Sequence, residues 1–449
     1  MRGRDFLWLG VVALVVLLKA APAGDSADAT YADFKTFVTV LEKVKHHYVK
    51  PVDDAKLFYG AYKGMIAELD PYSQFMTRQD IEQLTIDTEG EFGGLGIEIT
   101  LDRNRVLTVI TPLEDTPAMK AGVLPGDRVV EIEGKNTYNM TLIDAVKILR
   151  GKPGTPVTIT VVHEGTGKRE KITITRDIIK VHSIRAAKIV DEKAKVGYVR
   201  MSNFQKTTAD ELDDAVRTLQ DQGMKALIID LRRNPGGLLD SAVAVSDRFI
   251  AKGLIVSTKG RAQGTVHRFD AHKRGTYPNF PLAILVSNYS ASASEIVAGA
   301  VQDHRRGILV GKRTFGKGSV QTILPINDGA KLRLTTAKYY TPSGRMIHRD
   351  TDAKDDDPWG IKPDIEVTTT YDEELGLIKH WQSERIEENS KNHKNGKNGA
   401  KPATKEPKKP ETIKKPDNGD EDAETKPFVD HTLLRAVDAL KAVLVYQKR

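Results

Sequence analysis

The sequence predicts a multidomain chain that combines α/β with β architecture and has helical segments at both ends. Three observations predict it. Ala226 to Leu231 and Leu282 to Val286 are short apolar runs, each followed by a polar loop and then a helical stripe, the pattern of buried parallel strands. Gly90 to about Arg176 alternates apolar and polar residues in short segments around one helix. Tyr31 to about Ile86 and Leu433 to Leu444 repeat apolar residues at helical spacing. A length of 449 residues agrees with roughly two to four units.

Composition removes several function classes. There are no cysteines, so disulfide scaffolds, thiolate zinc sites and a cysteine nucleophile are excluded. The net charge of +7 is local: residues 391 to 415 hold nine Lys against two Glu, and the rest is near neutral. That basic stretch has no interleaved aromatics and reads as a solvated linker, which argues against a nucleic-acid surface. No spaced His or carboxylate cluster suggests a metal site, and no cofactor is expected.

At the N-terminus, Met-Arg-Gly-Arg-Asp precedes an apolar run of 13 residues, Phe6 to Leu18, followed by Ala21-Pro22-Ala23. This has the form of a secretory signal, too short for the roughly 20 residues of a spanning helix. Residues 1–23 are therefore expected to be a signal peptide or an uncleaved membrane anchor. Either one places the rest of the chain outside the cytoplasm, in a periplasm or on the outer face of the membrane.

The remaining elements follow in order. In 24–88, Phe34, Val38, Leu41 and Val44 form one helical stripe and Leu57, Ala61 and Ile66 another, interrupted at Asp70-Pro71. In 89–176, Gly94-Leu95-Gly96-Ile97 opens a strand, Leu124-Pro125-Gly126-Asp127 is a turn, and Leu142, Ala145, Val146 and Leu149 share a helix face. In 177–380, Thr208 to Glu211 reads as a capping box before the stripe Leu212, Ala215, Val216 and Leu219. Residues 381–427 read as a flexible Lys-rich linker and 428–449 as a last amphipathic helix. That helix docks either on its own chain or in a dimer.

Both polar loops of the 177–380 region lie after strand ends, where open α/β sheets place their chemistry. Asn288-Tyr-Ser-Ala-Ser-Ala-Ser-Glu295 puts three serines on alternate positions where a strand hands over to a helix. A hydroxyl there lies close to backbone N–H groups and the helix's positive end; the same residues also fit an N-terminal cap. His304, on the same helix, is about 18 Å from Ser292 and cannot serve it as base. His267, His272 and His348 have no spacing that recommends them. Lys317, among small and apolar neighbours in Phe315-Gly-Lys-Gly-Ser-Val-Gln321, is the other candidate base. Keeping it neutral near pH 7 requires burial worth ~4 kcal/mol, and Gln321 could hold the neutral amine without adding charge. Gly311 to Gly318 approaches a phosphate loop but has Gly318 where magnesium binding needs Ser or Thr.

Two resemblances follow from these residues. Gly90 to Arg176 resembles a PDZ domain, with Gly94-Leu95-Gly96-Ile97 in the place of its carboxylate-binding loop. Asp230-Leu-Arg-Arg-Asn-Pro-Gly-Gly237, Asn288 to Ala300 and Gly311 to Gln321 resemble the signature segments of the carboxyl-terminal processing, or tail-specific, serine peptidases. Such enzymes insert a PDZ domain before a catalytic core that resembles the αββ fold of crotonases and Clp peptidases. The resemblance implies Ser292 as nucleophile, Lys317 as general base and Gln321 as its orienting partner. It further implies an oxyanion hole from the Ala293 N–H and one from Gly236 or Gly237. Leu95, Ile97, Leu142, Val146 and Leu149 would line the pocket for a substrate's last side chain, and Arg150 is a candidate for coupling the PDZ domain to catalysis. The partners implied are polypeptides with free C-termini and an adaptor protein; terminal helices suggest a homodimer. The rivals are a tail-binding adaptor without proteolysis and a histidine-based esterase.

Overall fold

The computed structural model describes residues 26–447 apart from 103, 114, 262–264, 327–328, 351–352, 355–356 and 396–427. The expected signal segment and the Lys-rich stretch from 396 lie outside the described residues. Among the described residues, no helix is long and apolar enough to cross a membrane. The chain divides into two compact units, 1–75 and 76–449.

The first unit holds the helices Ser26–His47 and Asp54–Ala67. Asp53 caps the second by accepting the Ala55 N–H at 3.0 Å, and Lys45 pairs with Asp54 at 2.6 Å. Aromatic rings join the helices, with Phe37 and Phe58 centroids 6.4 Å apart. The predicted Phe34 and Val38 stripe faces outward, Phe34 being 58% exposed.

The second unit opens with the helix Arg78–Glu89, started by a reciprocal cap between Thr77 and Asp80 and ended by Gly90 in the left-handed region. A six-stranded antiparallel sheet follows, with Ile97–Leu101, Leu107–Pro112, Arg128–Ile132, Pro156–Val162 and Arg169–Thr175 in order and the short Lys135–Asn136 paired to Arg128–Ile132. Its inward residues, including Val109, Val129, Ile159 and Val161, pack with Ala145 and Leu149 of the helix Leu142–Leu149. Glu91–Gly94 pairs with Asp177–Lys180, so entry and exit of this domain run side by side.

A six-stranded sheet then carries the site. Its order is Ile184–Asp191, Val196–Met201, Ala226–Asp230, Leu282–Val286, Ile308–Gly311 and Ile365–Glu366, parallel except for the first pair. Side chains alternate between its faces. Leu227, Ile229 and Ile284 join Leu212, Val216, Val245, Ile296 and Val297 from helices on one side. Ile228, Leu285 and Val310 join Val437 and Leu440 of the last helix, His431–Gln447, on the other. An antiparallel group of strands, Ser319–Pro325, Lys331–Tyr340, Gly253–Gly260 and Val266–Ala271, lies beside it.

The last helix packs Ala436, Val437 and Leu440 on its own sheet, the intrachain docking of the two alternatives. Two expectations are corrected. The linker expected from residue 381 begins as helix, Tyr371–Asn395, because Trp381 is held by the Arg200 guanidinium 4.4 Å from its ring and Lys188 pairs with Glu384 at 2.5 Å. The Thr208 to Glu211 capping box is replaced by other partners. Glu211 accepts the N–H groups of Ser183 and Ile184, and Thr208 Oγ1 accepts that of Gln205.

A buried ionic cluster fastens the last helix to the loop after Ala226–Asp230. Arg232 donates to Asp230 and to Asp430, each at 2.6 Å from Nη2, while Tyr198 donates to Asp230 at 2.8 Å. Arg232 is 7% exposed, so its charge depends on both partners. Asp430→Ala leaves that guanidinium half-compensated and is expected to lower stability by about 3 kcal/mol in urea unfolding. A change below about 0.5 kcal/mol would show that the clamp carries little.

Candidate active site

Three loops converge at the C-terminal ends of three adjacent parallel strands, Ala226–Asp230, Leu282–Val286 and Ile308–Gly311. The first contains Gly236 and Gly237, the second Ser292 and the third Lys317. Two of the three alternating serines lock the loops together. Ser290 donates to the Leu231 carbonyl at 2.8 Å and Ser294 to the Asn234 carbonyl at 2.9 Å, both fully buried. Ser292 stands between them at φ 54°, ψ −111°, outside the ordinary cap geometry, at the head of the helix Ala293–Asp303.

Glu295, one turn on and fully buried, determines what surrounds Ser292. Its Oε2 accepts the backbone N–H of Ser292 and that of Lys317, both at 2.8 Å. Its Oε1 accepts the Gly316 N–H at 2.7 Å and the Thr314 hydroxyl at 2.5 Å. The main chains of Ser292 and Lys317 are therefore no further apart than two hydrogen bonds laid end to end. Burial pushes the Glu295 carboxyl up to about 7, against the pull of Thr314, Gly316, Ser292 and Lys317. The Lys317 side chain is half-buried.

The glycine loop presses on the serine. Gly236 has φ +102°, and a Cβ there would come within 2.8 Å of Ser292 Cβ and 2.9 Å of the Ala293 nitrogen. Its own N–H is taken by Asn234 Oδ1 at 2.9 Å. Among the described residues no hydrogen bond is made by the N–H of Gly237 or of Ala293. Gln321 donates from Nε2 to Ser319 at 2.9 Å and to Thr335 at 3.3 Å. His304 directs Nε2 to the Leu254 carbonyl at 2.7 Å, and His272 lies against Asp247 at 3.3 Å. These histidines serve the scaffold.

In the antiparallel domain, Gly94, Leu95, Gly96 and Ile97 line a cleft of about 80 Å³ with Phe92, Val146, Leu149 and Arg150. Among the described residues the N–H groups of Leu95 and Gly96 make no hydrogen bond, as an anion-binding loop requires. Gly96 must be glycine, since at φ +76° a Cβ would meet Thr116 at 2.3 Å. Leu142 faces a different groove, of about 830 Å³, between its own helix and Arg78–Glu89, so it is corrected out of the small cleft. Arg150 bonds Gln83 at 2.8 Å and lies 4.6 Å from the Phe92 ring centre, fastening these two helices.

Comparisons with known proteins agree with this layout. The peptidase family S41 profile matches residues 195–367, a PDZ domain profile 108–162, and the N-terminal domain of the activating protease CtpB 18–80. A carboxy-terminal-processing protease of Bartonella bacilliformis is 43% identical over 358 residues, covering 79% of this chain and 79% of its own. The chain belongs to peptidase family S41. The carboxy-terminal processing protease CtpA of Bacillus subtilis is 34% identical to this S41 peptidase over 350 residues, 78% of this chain and 71% of its own. A solved photosystem II D1 C-terminal processing protease is 30% identical, with 74% of this chain and 86% of that one covered and a TM-score of 0.43. The protein is a serine protease with a PDZ domain.

Sequence reasoning saw Glu295 in this S41 peptidase only as half of a cap. The signal for its larger role was faint: an acidic residue on a helix face that is otherwise Ile296, Val297 and Ala300, where a carboxylate must find donors from elsewhere. A folded-state value near 7 exceeds the ordinary 4.5, so the folded chain retains a proton that the unfolded chain releases. This group's contribution is full below about pH 4.5 and about 3 kcal/mol of it is lost as pH rises through about 7. A carbon-13 titration of the Glu295 carboxyl should give a midpoint near 7; a midpoint below about 5 contradicts the assignment.

Proposed function

We propose that the chain is an exported endopeptidase that grips the free carboxyl terminus of a polypeptide in the Gly94 to Ile97 cleft and cuts an amide bond near that end. The observation that carries the reading is the shared Glu295 oxygen, which brings the Ser292 and Lys317 backbones to one point beside two N–H groups, of Ala293 and Gly237, that make no hydrogen bond among the described residues. Export is supported by the apolar run Phe6 to Leu18 and the small residues after it.

The chemistry needs no group beyond the chain and water. Neutral Lys317 Nζ takes the Ser292 Oγ proton as Oγ bonds to the substrate carbonyl carbon, whose oxygen becomes the oxyanion. The N–H groups of Ala293 and Gly237 receive that charge; Gly236 is set aside because Asn234 already holds its N–H. Lys317 then passes the proton to the leaving amine as the C–N bond breaks. Water attacks the ester, giving its proton to Lys317, which returns it to Ser292 Oγ as the acid departs. Gln321, on the strand entered directly after the Lys317 loop, orients the amine.

Ser292→Ala and Lys317→Ala are each expected to reduce cleavage of a free-tail peptide at least ~10³-fold with unfolding midpoints kept, and His304→Ala to leave turnover within a few-fold. Amidating the peptide's C-terminus should raise KM, since the Leu95 and Gly96 N–H groups lose their anion. Wild-type turnover in either Ala variant at position 292 or 317 refutes the mechanism. Tail binding without cleavage by the unaltered chain would leave the adaptor reading instead.

A further inference from the structure

Lys317 stands between two glycines, and one stretch of chain presses on both from outside. A Cβ on Gly316, at φ +87°, would come within 2.8 Å of Arg349 Cβ and 3.1 Å of Trp359 Cε3. One on Gly318 would come within 2.5 Å of the His348 nitrogen. The peptide unit that joins Gly316 to Lys317 is held at both ends: its carbonyl accepts the Arg349 N–H at 2.8 Å, and its N–H goes to Glu295 Oε2 at 2.8 Å. Thr314 donates its N–H to the Ile361 carbonyl at 3.1 Å and accepts the Ile361 N–H on Oγ1 at 2.7 Å, which ties the start of the loop to the same stretch. One ring closes this outer contact. Trp359 carries two guanidinium groups over its ring, Arg313 at 4.3 Å and Arg349 at 4.2 Å from the centre. Arg313 belongs to the lysine loop and Arg349 to the stretch that covers it, so the ring joins the two. Each side is anchored further, the indole N–H to the Lys354 carbonyl at 3.1 Å and Arg313 to the Asp357 carbonyl at 2.8 Å.

We infer that Trp359, with Arg313 and Arg349 over its ring, is a positioning residue for the reaction: it holds the lysine loop from outside as Glu295 holds it from inside. This rests on Lys317 being the general base. Residues 312–318 lie outside any helix or strand, and the glycines on either side of Lys317 are the residues with the widest backbone freedom. Left to itself such a segment would spread the amine over many positions. Glu295, a carboxylate, can fix only N–H groups. The Gly316 carbonyl falls to Arg349, and without that bond the peptide plane before Lys317 is free to swing about the N–H bonds that remain. An amine displaced by about 1 Å from the Ser292 proton loses on the order of a hundredfold in rate. Trp has the aromatic face that attracts a cation most strongly, which suits it to keep Arg349 in place. The Gly94 to Ile97 cleft is lined by none of these residues, so the loss falls on the chemical step and not on the grip of the tail.

The test measures, on the full chain, kcat and KM for a free-tail peptide and the rate at which a fluorophosphonate labels Ser292. Trp359→Leu removes the ring face and should lower kcat and the labelling rate roughly tenfold to a hundredfold, with KM within about twofold. Trp359→Phe keeps a face for the two cations and should stay within about threefold of the unaltered chain. Arg349→Met keeps the main-chain N–H and an apolar stem but loses the charge. It should lower both rates roughly threefold to tenfold, and it decides the matter if Trp359→Leu does not fold. Because the ring acts through Lys317, adding Trp359→Leu to Lys317→Ala should change the residual labelling by no more than about twofold. A ring that merely stiffened the whole site would lower it again. The inference is overturned by unchanged rates in Trp359→Leu and Arg349→Met, by an equal loss in Trp359→Phe, or by a further fall of about tenfold on the Lys317→Ala background. Where Lys317→Ala is itself inactive toward the peptide, such results sink the role of Trp359 alone; where it cleaves at the unaltered rate, the base assignment falls as well.

Discussion

One buried carboxylate constrains the whole site. Glu295 sits, fully buried, where the apolar side of a helix meets the ends of three strands. A carboxylate in that position must collect donors from the protein, and those within reach are the N–H groups of the two loops that carry Ser292 and Lys317. The cost of burying it is what makes the convergence specific. Any arrangement that separates the loops strips donors from a group that has no alternative.

The parallel sheet makes this economical in geometry. Adjacent strands deliver their C-terminal ends about 5 Å apart, so loops leaving them meet without long excursions. The flanking serines then fix the relative height of the loops, and Gly236 lets the glycine loop approach Ser292 where any side chain would collide. On the opposite face, Arg232 hands the position of that glycine loop to Asp430, so the last helix supports the site from behind. Both rows of partners start from a single segment, Asp230 to Gly237, which explains how its alternate residues serve an ion cluster and a backbone donor.

The division between what the sequence disclosed and what it concealed follows the range of the interactions. Strands such as Ala226–Asp230 and Leu282–Val286 were legible because burial on both faces is written into consecutive residues. The Ser292 and Lys317 segments were legible because turn, helix start and small neighbours are local, and their family resemblance is long. Contacts closed by the fold were not. Three serines on alternate positions looked equivalent until Leu231 and Asn234 claimed two of them. Gly236 and Gly237 were indistinguishable until Asn234 took one N–H. Glu211 had a closer cap partner by sequence, yet the N–H groups of Ser183 and Ile184 outcompeted it, and Trp381 prolonged a helix through a stretch whose composition reads as linker.

The central claim is that the Glu295 carboxylate, by holding both loops, makes Ser292 reactive. Its most direct test is the fluorophosphonate labelling rate of Ser292 in Glu295→Gln, measured on folded protein at pH 8. A glutamine of the same shape turns one accepting oxygen into a donor facing backbone N–H groups, so the account predicts a rate lower by at least roughly a hundredfold. Labelling within about threefold of the unaltered chain would contradict it.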